Sequence, residues 1–119
     1  MGQGVAKALV LALVTLAGVP AIAQDWRPLQ GPQITQTLER HVLRYPDGSE
    51  QVFNYGGLTE YRIGWPNEGR WRIRGDLYCA LWPPSAEWRC HLVAASPDGR
   101  WVRFTDDAGR AVIAERLQD

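Results

Sequence analysis

Eight short stretches of alternating side chains, each bounded by turn-forming residues, constrain the fold of this chain more than any other feature. From residue 41 onward, β-branched, aromatic or other apolar residues recur at alternate positions of short segments. The segments are 41–45, 51–55, 58–63, 70–74, 77–82, 87–95, 101–105 and 111–117. Turn sequences such as Pro46-Asp47-Gly48 separate them. Connections this short predict antiparallel neighbours, and therefore a meander.

One helix is predicted ahead of these strands, over residues 32–40. Ile34 and Leu38 lie on one helical face, and Val42 continues their spacing. The predicted fold is therefore mostly β, with a short N-terminal helix packed on a curved antiparallel meander of seven or eight strands. Closure into a small barrel is an open alternative that would remove unpaired strand edges. A barrel of this size can be filled by its own side chains, so the predicted fold does not imply a cavity.

The first 23 residues have the pattern of an export signal. Lys7 precedes twelve predominantly apolar residues, Pro20 interrupts them, and Ala21-Ile22-Ala23 supplies the small residues that a signal peptidase requires. Twelve residues are too few to cross about 30 Å of hydrocarbon as a helix. We therefore expect cleavage before Gln24, no membrane span in the mature protein, and a periplasmic or secreted location in a bacterium.

Residues 24–119 are long enough for one domain. This mature chain carries 12 arginines, no lysine and 13 Asp plus Glu, a net charge of −1 (12 minus 13). That balance argues against a nucleic-acid surface, which requires an excess of positive charge.

The two cysteines, Cys79 and Cys90, are expected to form a structural disulfide because the chain is predicted to be exported. If they face each other in a hairpin, Leu77 faces Leu92 and Leu81 faces Trp88, all on the cysteine side. With a three-residue loop at 74–76 in the preceding hairpin, Trp71 would lie on the cysteine side. The core predicted from this register contains Ile34, Leu38, Trp71, Ile73, Leu77, Leu81, Trp88 and Leu92.

Sequence patterns of known catalytic or metal sites are absent. Only two histidines occur, the cysteines lack the Cys-x-x-Cys spacing of redox sites, and no Gly-x-Ser-x-Gly elbow or phosphate-binding glycine loop is present. We therefore predict no metal, no cofactor and no catalytic activity.

The predicted register also defines a candidate binding face opposite the cysteines. Arg72, Tyr78 and His91 would form one row, with Arg70 and Arg89 in the next. Arginines and aromatic rings on a rigid sheet suit recognition of an anion, a glycan or a protein. The alternative is a solvated face whose arginine stems cover aromatic rings.

A second candidate is Trp82, at a hairpin tip before Pro83-Pro84. An exposed tryptophan on a stiff loop can anchor a partner. Alternatively, its ring folds back over the end of a barrel.

The run 69–79, Gly-Arg-Trp-Arg-Ile-Arg-Gly-Asp-Leu-Tyr-Cys, followed by Trp82-Pro83-Pro84 and Trp88-Arg89-Cys90, resembles a group of small exported alphaproteobacterial proteins of unknown function. Their shared pattern is Gly-x-Trp-x-x-x-Gly-Asp-x-x-Cys followed by Trp-x-Cys. The resemblance covers most of the mature chain and implies export and a disulfide-bonded hairpin. It implies no activity and no functional residues.

Three functions remain open from the sequence. The first is a non-catalytic binding or structural module of the cell envelope, with a protein, glycan or small ligand as partner. The second is an inhibitor of an exported hydrolase, by analogy with other small disulfide-bonded barrels. The third is an enzyme without a recognisable motif.

Overall fold

Eight antiparallel strands close into a barrel in the computed structural model, which describes residues 25–62 and 67–118. The predicted fold class is confirmed, and the alternative of a closed barrel is the one observed. The predicted signal peptide lies outside the described residues. The described chain contains helix α1 (Gly31–Leu38) and strands β1 (Arg27–Pro28), β2 (Val42–Arg44), β3 (Glu50–Phe53), β4 (Leu58–Tyr61), β5 (Asn67–Arg74), β6 (Leu77–Leu81), β7 (Arg89–Ala95), β8 (Trp101–Thr105) and β9 (Ala111–Leu117).

The barrel follows chain order, as expected for a meander. Each strand from β2 to β9 pairs with the next, and β9 returns to pair with β2. The two-residue strand β1 adds to β7, with Arg27 opposite Ala95. Closure gives each barrel strand a partner on both sides, which removes the unpaired edges that favour aggregation.

Helix α1 packs beside the turn that joins β5 to β6. The backbone N–H of Gly31 donates to Asp76 Oδ1 at 2.8 Å, and a Cβ at Gly31 would lie only 2.5 Å from the carbonyl oxygen of Gly75. Ile34 and Leu38 are completely buried in the core, as predicted from their spacing. The helix therefore occupies one end of the barrel, where β5 ends and β6 begins.

The β5–β6 hairpin has a different register from the predicted one. Its loop contains two residues, Gly75 and Asp76, because Arg74 pairs directly with Leu77. Gly75 has φ 61°, which suits the first position of a tight hairpin turn. A loop shorter by one residue transfers the side chains of β6 to the opposite face relative to β5.

This register corrects the predicted core. Trp71 and Ile73 share the inner face with Tyr78 and Ala80, whereas the cysteines and the flanking leucines lie on the outer face. Leu92 is 59 % exposed, and Leu77, Leu81 and Trp88 are half-buried at the outer surface. Ile34, Leu38 and Trp71 are buried as predicted, and Ile73 packs against the core. The core residues that the prediction omitted are Leu43, Phe53, Tyr78, Ala80, Val93, Val102, Phe104 and Ala114.

The disulfide prediction is confirmed. Cys79 and Cys90 are paired across β6 and β7, with a Cα–Cα distance of 4.0 Å. Leu77 faces Leu92 as expected, and the ladder ends at Ala80 and Arg89, before the expected pair of Leu81 and Trp88.

A candidate binding cavity at the open end of the barrel

The end of the barrel opposite α1 contains a cavity of about 840 Å³, here called the mouth cavity. Three connections that are described throughout lie at this end: β2–β3, β6–β7 and β8–β9. The cavity extends from these connections to inward-facing residues of the strands, among them Gln51, Tyr78 and Phe104. Its volume lies within the range of about 300–1,000 Å³ that is typical of small-molecule sites.

Aromatic rings form much of the cavity wall. Tyr61 stacks on Trp82, with ring centroids 4.7 Å apart and an interplanar angle of 26°. Tyr45 lies 6.0 Å from Tyr61, and Tyr78 lies 5.3 Å from Phe104. Offset and tilted rings at these distances stabilise one another and present apolar faces to a ligand.

Trp82, the predicted loop anchor, folds back onto this wall instead of projecting from the loop. Its ring is half-buried and packs against the core. Gly69 on β5 makes this position accessible, because a Cβ there would lie 2.6 Å from Trp82 Cε3 and 2.6 Å from the carbonyl oxygen of Leu81. Gly69 on β5 therefore leaves the space that the ring of Trp82, in the β6–β7 connection, fills.

A buried carboxamide organises the hydroxyl groups of the cavity. Gln51 is 1 % exposed, and its Nε2 donates to Thr59 Oγ1 at 2.9 Å and to the Tyr78 hydroxyl at 3.2 Å. Its Oε1 accepts from the Tyr45 hydroxyl. Thr59 in turn donates to the carbonyl oxygen of Val52 at 2.7 Å. The amide thus fixes two tyrosine hydroxyls beside the cavity while both of its own N–H groups are used.

Three tyrosines keep the interior uncharged. Burial raises the pKa of Tyr45, Tyr61 and Tyr78, and charge repulsion from neighbouring tyrosines raises that of Tyr45 and Tyr78 further. All three phenols remain protonated at neutral pH, so they present neutral hydrogen-bonding groups.

His91 faces Tyr78 across the β6–β7 ladder and also lines the mouth cavity. Burial lowers its pKa, although the nearby carboxylates of Asp106 and Asp107 oppose that effect. Its Nδ1 is buried and has no hydrogen-bond partner among the described residues. A neutral imidazole with an unused nitrogen therefore borders the cavity.

The two carboxylates at the rim, those of Asp47 and Asp106, accept hydrogen bonds from residues of their own turns. Asp47 Oδ1 accepts from the backbone N–H and the hydroxyl of Ser49. Asp106 accepts from the backbone N–H groups of Ala108 and Arg110, and its Oδ2 lies 3.1 Å from Arg110 Nε. These bonds lower the pKa of both carboxyl groups, so both are ionised at neutral pH.

A lateral opening adjoins the mouth cavity. The β7–β8 ladder ends at Leu92 and Thr105, so the first part of β7 separates from the β8–β9 turn. A second cavity of about 780 Å³ lies there, and Arg89 and His91 border both cavities.

The predicted binding face is divided by the barrel wall. Tyr78 is buried on the inner face, and His91 and Arg89 share that face, so they line the mouth cavity. Arg70 and Arg72 lie on the outer face, where the Arg72 guanidinium stacks 4.0 Å from the ring of Trp88. The expected single exposed patch is therefore wrong, because the hairpin loop is one residue shorter than assumed. A binding role for the individual residues stays a prediction.

Sequence reasoning did not identify the other main residues of the cavity, Tyr45, Gln51, Tyr61 and Phe104. Tyr45, Gln51 and Tyr61 lie within or next to strands with regular hydrophobic alternation. All three are close to the ends of their strands that lie at the same end of the meander. That shared position was the available signal. It becomes informative only once the sheet closes.

The described residues bring together no group of three His, Cys, Asp or Glu side chains that could hold a metal ion. Within the same residues, the helix is neither long nor apolar enough to cross a membrane. No family model matches the chain, and no curated protein or solved structure shows significant similarity to it. The resemblance to small exported alphaproteobacterial proteins thus stays a prediction.

Proposed function

We propose that this protein is a non-catalytic binding module of the bacterial cell envelope that takes up a small, largely apolar molecule in the mouth cavity. The observation that carries the proposal is the cavity itself, about 840 Å³ in volume, at the end of the barrel opposite α1. Eight-stranded barrels are just wide enough to be filled by side chains or to hold one small ligand. Here helix α1 fills one end, and the space lies at the other.

The lining suits binding of an aromatic or similarly flat molecule. The stacked pair Tyr61 and Trp82 and the ring of Phe104 offer apolar contact, while hydroxyls fixed by Gln51 offer a few directed hydrogen bonds. A mainly apolar wall with a small number of placed polar groups is the usual composition of a small-molecule site.

The ionisation states favour binding over catalysis. General acid–base chemistry requires a group whose pKa lies near the working pH within reach of the reacting atom. The cavity tyrosines have pKa values raised away from neutrality, and the rim carboxylates have pKa values lowered away from it. His91 is the exception, and no described side chain is hydrogen-bonded to its Nδ1 to orient it.

The proposal can be tested with the neutral dye N-phenylnaphthylamine, which fluoresces when it enters an apolar site. Val112 lines the cavity and is 47 % exposed, whereas its neighbour Ile113 points to the outer face and is 41 % exposed. Val112→Trp should block the cavity and weaken dye binding by about tenfold or more, the equivalent of a lost apolar contact of about 1.4 kcal/mol. Ile113→Trp is the matched control and should bind like the wild type. Absence of saturable binding to the wild type, or equal loss in both variants, would overturn the proposal.

A protein partner on the outer face is a second candidate function, which keeps inhibition of an exported hydrolase open. The observation that favours it is the exposed Leu92 on the same outer face as the stacked pair of Arg72 and Trp88. Arginine and tryptophan are frequent at the energetic centres of protein interfaces. Capture of an envelope hydrolase that survives Val112→Trp but is lost in Trp88→Ala would favour this candidate.

A further inference from the structure

We propose that the ligand of the mouth cavity is an amphipathic anion, with an apolar or aromatic body inside the barrel and one carboxylate or similar group at the rim beside Arg89. This inference rests on the proposed function and specifies its ligand class. Four features support it: the neutral interior, the guanidinium of Arg89, which forms no salt bridge with a described residue, the small residue opposite it, and the Nδ1 of His91, which has no hydrogen-bond partner among the described residues.

The neutral interior places any ligand charge at the rim. The phenols of Tyr45, Tyr61 and Tyr78 stay protonated because burial raises each pKa. No described side chain deep in the cavity therefore offers an opposite charge. Burying an unpaired ion costs far more than burying an apolar group, so a charged group is stable only near the water-exposed rim.

At the rim, Arg89 is the cation available for a ligand. Two arginines line the cavity, and Arg110 is already paired with Asp106 at 3.1 Å. Arg89 forms no salt bridge with any described residue, and the four internal residues outside the description, 63–66, contain no acidic side chain. The other rim carboxylate, Asp47, is engaged by Ser49.

The register gives this guanidinium access to the cavity. Arg89 faces Ala80 across the β6–β7 ladder, and both residues line the cavity. An alanine at this position leaves room for a long side chain or for a ligand group that contacts it. The planar guanidinium offers paired N–H donors that match the two oxygens of a carboxylate.

His91 supplies a second polar group on the same side. It lies two positions after Arg89 on β7, so both side chains point to the inner face. Its buried Nδ1 lacks a partner within the described chain, and buried polar atoms are rarely left without a hydrogen bond. Because Nδ1 is buried here, it reaches a ligand oxygen held by Arg89 when the ring rotates toward the cavity and its N–H donates.

The test compares two dyes with the same aromatic skeleton, the neutral N-phenylnaphthylamine and the anionic anilinonaphthalenesulfonate. The wild type should bind the sulfonate more tightly than the neutral dye. Arg89→Gln should weaken sulfonate binding by about tenfold, as expected for loss of a charge-assisted hydrogen bond, and leave the Kd of the neutral dye within about twofold. Arg74→Gln is the matched control, since Arg74 is exposed on the outer face of β5. It should change neither Kd.

The outcomes separate the two proposals. If the wild type binds neither dye, the cavity-binding function itself fails. If it binds both and Arg89→Gln weakens them equally or not at all, the cavity binds ligands but the anionic class is wrong. Because Arg89 is exposed, the variant should fold normally, and Arg89→Lys provides a second check by retaining the charge. Sulfonate affinity in Arg89→Lys should exceed that in Arg89→Gln, and equal affinities would contradict the assignment.

Discussion

Replacement of Gln51 by leucine tests the polar network that organises the mouth cavity. Leucine has a similar size, so the main loss is three hydrogen bonds, to Tyr45, Thr59 and Tyr78. Each such bond contributes about 0.5–1.5 kcal/mol net, and a buried hydroxyl left without a partner costs about 1–3 kcal/mol. Thr59 keeps its bond to the carbonyl oxygen of Val52, and Tyr45 lines the mouth cavity, where water can replace the amide. We therefore expect the free energy of unfolding to fall by about 2–4 kcal/mol.

Urea denaturation measures this loss directly. Gln36→Leu is the matched control, because Gln36 is exposed on α1, and it should change stability by less than about 0.5 kcal/mol. Combining Gln51→Leu with Tyr78→Phe should cost clearly less than the sum of the single changes, since both remove the same bond. A loss below about 0.5 kcal/mol for Gln51→Leu, or strict additivity with Tyr78→Phe, would refute the reasoning.

Three further changes test other parts of the fold. Replacing Cys79 and Cys90 by alanine should lower the free energy of unfolding by roughly 2–4 kcal/mol and leave the barrel assembled, and intact far-ultraviolet circular dichroism with a lower urea midpoint would show this. Gly69→Ala should cost about 1–3 kcal/mol through its clash with Trp82, and a wild-type urea midpoint would contradict that account. Because burial lowers the pKa of His91 from 6.5, the unfolded chain binds this proton more readily, so stability is retained above pH 6.5 and decreases as the pH falls below it. His91→Gln should flatten the dependence of the urea midpoint on pH below 6.5, and an unchanged dependence would exclude this contribution.

The strand order could be predicted because its signals are local. Turn sequences at 46–48, 75–76, 97–99 and 107–109 mark hairpins whatever the rest of the chain does, and short connections leave little topological choice. The β6–β7 register was also accessible, because a disulfide fixes which residues face each other.

The inward and outward faces of β6 were harder to assign, because both faces of this strand are apolar. Leu77, Cys79 and Leu81 alternate with Tyr78 and Ala80. Hydrophobic alternation therefore cannot distinguish the core side from the outer side. The choice depended on whether the preceding loop has two or three residues, and one residue reverses the assignment. Gly75 at the first position of a two-residue turn was the informative feature.

The mouth cavity could not be predicted from the sequence because its parts are distant along the chain. Tyr45, Tyr61, Tyr78 and Phe104 come from or flank four different strands, and only closure between β9 and β2 and between β7 and β8 places them around one space. Whether side chains fill a small barrel depends on packing details that alternation does not encode.

The central claim is that the open end of the barrel holds the ligand. Its most direct test is nuclear magnetic resonance of isotopically labelled mature protein in complex with N-phenylnaphthylamine. Intermolecular nuclear Overhauser effects report which rings lie within about 5 Å of the dye, a separation typical of packed aromatic rings. The account predicts contacts from the dye to the rings of Tyr61, Tyr78 and Phe104, which line the mouth cavity. Contacts confined to Trp88 and Leu92 on the outer face would contradict it.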